Sequence, residues 1–139
     1  MPAWRCPECD RQFSRANQGH ECAPAMSIEE YFSTGPAHER PIFEAVMARL
    51  EGIGPIHVEP VSVGIFLKRA RSFAQLRTMQ RWTALSFSLD RAVTHPTITR
   101  KVVAYHGRYH HVANVASPDD LDDQLIGWLV EAYEASPPP

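Results

Sequence analysis

The residues best suited to chemistry are three cysteines and one histidine close to the start of the chain. They follow the pattern Cys6-x2-Cys9-x10-His20-x-Cys22, and these three cysteines are all that the chain contains. A Cys-x2-Cys pair on a tight turn presents two thiolates to one ion, and a later His/Cys pair completes a tetrahedron. Three thiolates and one imidazole suit zinc. The pattern therefore predicts one structural zinc ion with four protein ligands.

A module of residues 1–23 is too small to fold by hydrophobic burial alone, so metal binding would supply most of its folding free energy. Phe13 is expected to form its small core. A base-reading finger has about twelve residues before its histidine pair, which leaves room for a recognition helix. Because only ten residues separate Cys9 from His20 here, we expect a zinc knuckle that contacts a protein partner. The alternative, three cysteines without a metal, ignores their ligand spacing, and their odd number disfavours a disulfide framework.

The chain shows no sign of export or of membrane insertion. Its start, MPAWRCPECD, has neither a basic region nor an apolar region of the kind that a secretory signal needs. The longest apolar runs are only a few residues, such as Val63–Leu67, so we expect no membrane span. The predicted compartment is the cytoplasm, where thiols stay reduced.

The net charge of the chain conceals a strong asymmetry. The 139 residues carry 14 Lys and Arg against 16 Asp and Glu, a formal net charge of −2. Residues 61–111 hold nine basic residues and one acid, or +8, and the rest of the chain holds five basic residues and fifteen acids, or −10. A near-neutral total therefore does not exclude an anionic partner.

The basic segment predicts a sheet surface that binds nucleic acid or another anion. Lys68 shares a strand face with Phe66, and Arg77 shares one with Phe73 and Gln75, and such mixing of cations with aromatic rings is typical of single-stranded nucleic-acid binders. The candidate anion-binding residues are Lys68, Arg69, Arg71, Arg77 and Arg81. The alternative is a solvated basic face that pairs with the acidic terminal helix.

A second group of chemical side chains lies later in the chain. On an extended strand, His106, Arg108 and His110 project to one face, which would suit acid–base chemistry on a phosphate-bearing substrate. No carboxylate, glycine-rich phosphate loop or nucleophile elbow accompanies them. We therefore expect no catalytic residue and treat these histidines, with His95 and His111, as structural. A small enzyme, or an adaptor that uses the knuckle and the acidic Asp119–Asp123 segment, is the alternative.

The elements that must position these residues can be read from local signals. Ser27 and Glu30 form a capping box that predicts a short helix to about Phe32, and apolar spacing predicts a second helix from Pro36 to Glu51. Alternation with a period of two runs from His57 to Asp90 and predicts three strands, 63–68, 73–79 and 82–89, with a further strand at 109–115. Residues 91–106 are predicted to be a loop with some helix.

The last element is a helix that begins at Ser117, with Pro118 at its first position and acids in its first turn. Its apolar stripe comprises Leu121, Leu125, Trp128, Leu129, Ala132 and Tyr133. The predicted fold class is α+β: an antiparallel β-meander with helices packed on one face over residues 27–135, preceded by the zinc knuckle of residues 1–23.

These motifs resemble known sequences. The start, Trp4-x-Cys6-Pro7-x-Cys9 with Asn17-Gln18-x-His20, looks like a zinc knuckle found at the start of small bacterial proteins. The remainder resembles an uncharacterised bacterial domain family, sometimes labelled "predicted transport protein", whose relatives also occur at the end of nuclease-like proteins. The residues that carry this resemblance are Gly64-Ile65-Phe66-Leu67-Lys68-Arg69, Phe73-Ala74, Arg77, Asp119–Asp122, Trp128-Leu129 and Glu131-Ala132-Tyr133. The resemblance implies no particular reaction, and Thr78-Met79 departs from the proline and basic residue common in the family.

Overall fold

The computed structural model describes residues 4–7, 9, 11–13, 15–17 and 27–136. Within these residues, one antiparallel sheet has the strand order β3-β4-β5-β6-β8-β7 and a separate two-stranded hairpin has β1 beside β2. The strands are β1 Trp4–Arg5, β2 Gln12–Phe13, β3 His57–Val61, β4 Gly64–Lys68, β5 Ser72–Thr78, β6 Thr83–Leu89, β7 Val103–Tyr105 and β8 Arg108–Val115. The helices are α1 Ile28–Phe32, α2 Glu39–Arg49 and α3 Asp123–Ala135. The predicted α+β class is confirmed.

The first two helices follow their sequence signals closely. The capping box of α1 is present, with the Glu30 N–H donating to Ser27 Oγ at 3.0 Å and the Ser27 N–H donating to the Glu30 carboxylate at 3.3 Å. Helix α2 begins at Glu39, three residues later than predicted. This start puts Pro41 in the first turn, where a missing backbone N–H leaves no hydrogen bond unmade.

The two faces of the main sheet differ sharply. Directly opposed residues of an antiparallel sheet share a face, so the register places Ile65, Leu76, Leu85 and Ala113 side by side. These four side chains are buried with α2 and α3 in one hydrophobic core. The opposite face carries Phe66, Gln75, Ser86 and Ser88, and we call it the open face. Helices on one face of a meander were predicted, and this part of the fold is confirmed.

Two strands and one helix start differ from the predictions. Strand β3 was not distinguished within the alternating segment, and β7 lies where a loop with some helix was predicted. All three residues of β7 are exposed, so no apolar alternation marks it. Residues Pro118–Asp120 form a separate 3₁₀ turn, and α3 begins only at Asp123 because Asp122 Oδ1 accepts a hydrogen bond from the Leu125 N–H.

Candidate functional site

The predicted metal ligands Cys6 and Cys9 lie in the connection of the β1–β2 hairpin. The hairpin pairs Trp4 with Phe13, and the Cys6 N–H donates to the Arg11 carbonyl at 2.8 Å. Both cysteines are buried with Phe13, and Trp4 packs against this small cluster. The other two predicted ligands, His20 and Cys22, lie outside the described residues. Within the part that is described, no group of three or more His, Cys, Asp or Glu side chains could hold a metal ion, so the zinc site stays a prediction.

A buried carboxylate on β3 joins this hairpin to the main sheet. Glu59 is 1% exposed, and its two oxygens accept hydrogen bonds from Arg11 Nε at 2.8 Å and from the Gln12 N–H at 2.9 Å. Lys68 Nζ lies 2.9 Å from Glu59 Oε1 and donates to the Gln12 carbonyl at 2.5 Å. His57 Nε2 lies 3.3 Å from Glu59 Oε2. Hydrogen-bond donors from the N-terminal hairpin and from the main sheet therefore surround the carboxylate.

These contacts control the ionisation of Glu59. Burial acts to raise the pKa of this carboxyl group, but hydrogen bonds from His57, Arg11, the Gln12 N–H and Lys68 outweigh it and hold the pKa far below its usual value. Burial lowers the pKa of Lys68, and the Glu59 carboxylate opposes that effect. Glu59 is consequently an anion in the folded protein at neutral pH.

Two aromatic rings enclose the same contact. Lys68 Nζ lies 4.4 Å from the ring centroid of Phe13 and 5.7 Å from that of Phe66. The Arg11 guanidinium carbon lies 5.3 Å and 5.4 Å from the same two centroids. Cations at such distances are attracted to the ring faces, so this layer of rings and charges fixes the hairpin on β4.

A larger concave site combines residues of the open face with the last turn of α3. This groove has a volume of about 590 Å³, and its walls come from β5, β6, β8, the β7–β8 turn and the last turn of α3. Its polar and charged lining residues are Arg71, Ser72, Gln75, Ser86, Ser88, His106, Arg108, His110 and Ser136. Among the described residues that line it there is no carboxylate. Arginines, hydroxyls and an amide without an acid favour an anion in the groove.

The β7–β8 turn brings one histidine to the edge of the groove. Tyr105 pairs with Arg108, and the two residues between them have positive φ angles, 50° at His106 and 75° at Gly107. A two-residue hairpin loop of this kind matches the twist of its strands. Glycine adopts such angles without cost, whereas His106 adopts one that is uncommon for a side-chain-bearing residue.

The alternation of β8 brings the other two predicted side chains to the groove. Arg108 and His110 lie on the open face, where His110 is opposite Ser88 of β6. Arg108 Nη2 donates to the Ser88 carbonyl at 2.9 Å, which fixes the guanidinium at this wall. His106, Arg108 and His110 therefore line one groove. The enzyme alternative requires these three side chains to converge on one pocket.

The five predicted anion-binding residues lie in different environments. Arg71 lines the groove and is exposed, and Arg77 and Arg81 are exposed on β5 and on the connection after it. Lys68 is buried against Glu59, so its ammonium group is not exposed to an external anion. Arg69 Nη1 donates to the Ser136 carbonyl at 2.8 Å and stacks 4.5 Å from the Tyr133 ring centroid. Arg69 thus caps the end of α3.

Two further histidines, His95 and His111, make structural contacts. His111 is buried and stacked on Phe87 at 5.2 Å, and its Nε2 accepts a hydrogen bond from the Val93 N–H at 3.0 Å. His95 bridges Thr97 Oγ1 at 2.7 Å and the Asp122 carboxylate at 2.8 Å. These two residues connect the 91–102 segment to the sheet and to α3.

Comparison with known proteins identifies one family. The profile of a family described as a domain of unknown function, DUF5655, matches residues 28–136. No curated protein and no solved structure matches the chain significantly. Within the described residues, no helix is both long enough and apolar enough to cross a bilayer.

Proposed function

We propose that this chain, which belongs to the DUF5655 family of domains of unknown function, is a non-catalytic module that binds a phosphate-bearing anion in the groove. The observation that carries the proposal is the lining: Arg71 and Arg108 reach it from different elements, and no acid lies among the described residues of its wall. The Arg71 carbonyl accepts hydrogen bonds from the Arg69 N–H and from Ser136 Oγ, but its side chain makes no hydrogen bond or ion pair with the described residues. Its guanidinium is thus available to a ligand.

The directions of the donors favour phosphate over a planar carboxylate-bearing metabolite of similar charge. Guanidinium groups bind both phosphate and carboxylate oxygens in a bidentate manner, so they do not discriminate by themselves. The hydroxyls of Ser72, Ser86 and Ser88 add donors along the groove. A tetrahedral phosphate can accept bonds from several directions, which suits donors that come from three strands and a turn.

The experiment is a titration of the full chain with tripolyphosphate at low salt, with the binding measured by isothermal titration calorimetry. Each lost guanidinium contact removes a charge-assisted hydrogen bond of about 1.5–3 kcal/mol, so Arg71→Ala and Arg108→Ala should each weaken binding about tenfold or more. Arg100→Ala is the matched control, because Arg100 is exposed and does not line the groove. An absence of binding to the unmodified protein would contradict the proposal.

A second candidate function is acid–base catalysis on a phosphate ester. It is favoured by one observation, the presence of both His106 and His110 beside Arg108 in the groove. Imidazoles transfer protons efficiently near neutral pH. Under this candidate, turnover of a phosphodiester would depend on both histidines, and His106→Gln would abolish it while leaving tripolyphosphate affinity within about twofold.

The zinc knuckle is a separate proposal. It is supported by the burial of Cys6 and Cys9 together in a hairpin connection and by the spacing of His20 and Cys22. Thiolates in such a connection bind Zn²⁺ in closed structural sites.

Metal analysis of the purified chain should give about one zinc per protein, because one set of four ligands is present. The double variant Cys6→Ala with Cys9→Ala should reduce this ratio to zero, because two ligands are lost. His110→Ala, which removes a histidine from the groove instead, should leave the ratio unchanged. A metal-free wild-type protein, purified without chelators, would refute the site.

A further inference from the structure

A second cavity adjoins the groove on the open face. It has a volume of about 320 Å³, and its lining includes Arg11, Phe13, Phe66, Lys68, Arg71 and Ser72. We call it the hairpin pocket, because β2 supplies one wall and β4 another. Arg71 and Ser72 line both the hairpin pocket and the groove. The two cavities therefore adjoin at these two residues, and we refer to them together as the path.

The two parts of this path differ in chemistry. The groove offers arginines, histidines and hydroxyls to an anion. The hairpin pocket offers an aromatic ring, because Phe66 is half-buried on the open face, opposite Gln75 and Glu59. The position of the ring is fixed by neighbouring cations, because Arg11 and Lys68 each lie within 5.7 Å of its centroid.

An aromatic ring next to an anion site offers the two kinds of contact that a nucleotide makes, base stacking and phosphate binding. Successive phosphates of a single strand follow a basic groove, while the bases stack on aromatic side chains. Inorganic polyphosphate or an acidic peptide would gain from the arginines but has no planar group to place on Phe66. The path also extends through two cavities, which suits an extended ligand better than a single phosphate.

We propose that the hairpin pocket and the groove together bind single-stranded nucleic acid, with a base against Phe66 and the adjoining phosphates at Arg71 and Arg108. This inference rests on the proposed anion-binding function and adds its ligand class. It also gives the N-terminal hairpin a part in the site, because β2 forms one wall of the pocket in which the base stacks.

The test is a fluorescence-anisotropy titration of the full chain with labelled single strands at low salt. The probes are an eight-residue oligo-uridine and an abasic strand of equal length and charge. Because one base–aromatic stack contributes about tenfold or more to affinity, the oligo-uridine should bind at least about tenfold more tightly than the abasic strand. Phe66→Leu should remove most of this difference, whereas Phe32→Leu, a half-buried ring on α1, should preserve it.

Each outcome supports or overturns a definite statement. Equal affinity for the oligo-uridine and the abasic strand overturns the nucleic-acid inference, and if Arg71→Ala weakens both, the anion-binding function survives. Equal competition by octa-glutamate identifies an acidic peptide as the ligand and also overturns it. Binding of none of these probes overturns the nucleic-acid inference, and the tripolyphosphate titration then decides the anion-binding function separately. The abasic comparison uses the unmodified protein, so it remains decisive even if Phe66→Leu does not fold.

Discussion

At the scale of single residues, the most informative side chain is Glu59. A carboxylate that is 1% exposed is costly unless it is fully paired, and Glu59 is paired by Arg11, Lys68, His57 and the Gln12 N–H. Arg11 and Gln12 lie more than 45 positions away in the chain. Local sequence patterns therefore gave no sign that Arg11 and Gln12 donate hydrogen bonds to Glu59. For the same reason, they predicted that Lys68 would bind an external anion.

Replacing Glu59 tests this connection. Glu59→Gln leaves Lys68 and Arg11 without their counter-charge in a buried site, so the free energy of unfolding should fall by about 3 kcal/mol. Glu44→Gln breaks the Arg40–Glu44 pair, whose side chains are 44% and 61% exposed, and should leave the free energy of unfolding nearly unchanged because solvent screens the pair. Urea denaturation followed by far-UV circular dichroism measures both changes. Equal effects would show that the Glu59 pair contributes no more than a surface pair.

At the scale of elements, the start of α3 shows how two adequate caps compete. Ser117 and Pro118 have the residue types of a helix start, and they do begin a turn, but it is a 3₁₀ turn that ends at Asp120. Leu121 is buried after this turn, and Asp122 then caps α3 and also contacts His95. The sequence predicted the helix and its buried stripe. Its starting residue depended on where the chain had to turn to bury Leu121.

The cap should be measurable as stability. Asp122→Ala removes the acceptor of the Leu125 N–H and the partner of His95, and should cost about 1–2 kcal/mol. Asp122→Asn keeps an acceptor at the cap and should recover most of that loss. Asp119→Ala alters an exposed acid of the 3₁₀ turn and should cost less than about 0.5 kcal/mol. A change in thermal midpoint as large for Asp119→Ala as for Asp122→Ala would show that the cap is misassigned.

At the scale of the whole molecule, folding distributes the nine basic residues of segment 61–111 among different tasks. Lys68 is enclosed beside Glu59, Arg69 caps α3, and Arg91 pairs with Glu131 of α3 at 2.6 Å. Arg71 and Arg108 line the groove. Arg91 therefore behaves as the alternative predicted, because it pairs with an acid of the terminal helix. The candidate site depends on the arginines that helix α3 does not pair.

Stability should decrease in acid in two separate pH ranges. Burial lowers the pKa of His111 from 6.5, so the unfolded chain takes up that proton first. Stability is then complete above about pH 6.5 and is lost as the pH falls from 6.5 towards the folded pKa. The lowered pKa of Glu59 gives stability above its unfolded value of 4.5, and this is lost below that pH.

Thermal midpoints measured from pH 8 to pH 3 test both ranges. His111→Phe keeps a ring beside Phe87 and should flatten the profile below pH 6.5, whereas Glu59→Gln should flatten it below pH 4.5. His106→Asn is the control for the first range, because His106 is exposed and is not among the groups that shift the pKa of His111. Retention of the full slope in His111→Phe would assign that range to other groups.

Local patterns in the sequence were sufficient for the α+β class, the meander, the capping box of α1 and the buried stripe of α3. These features depend on residues within a few positions of each other, so alternation and capping rules apply directly. The folded chain settled which cations remain accessible. Lys68 and Arg71 are three positions apart, yet one is enclosed by the hairpin and the other lines the groove. That difference arises from packing between distant segments, which no local periodicity encodes.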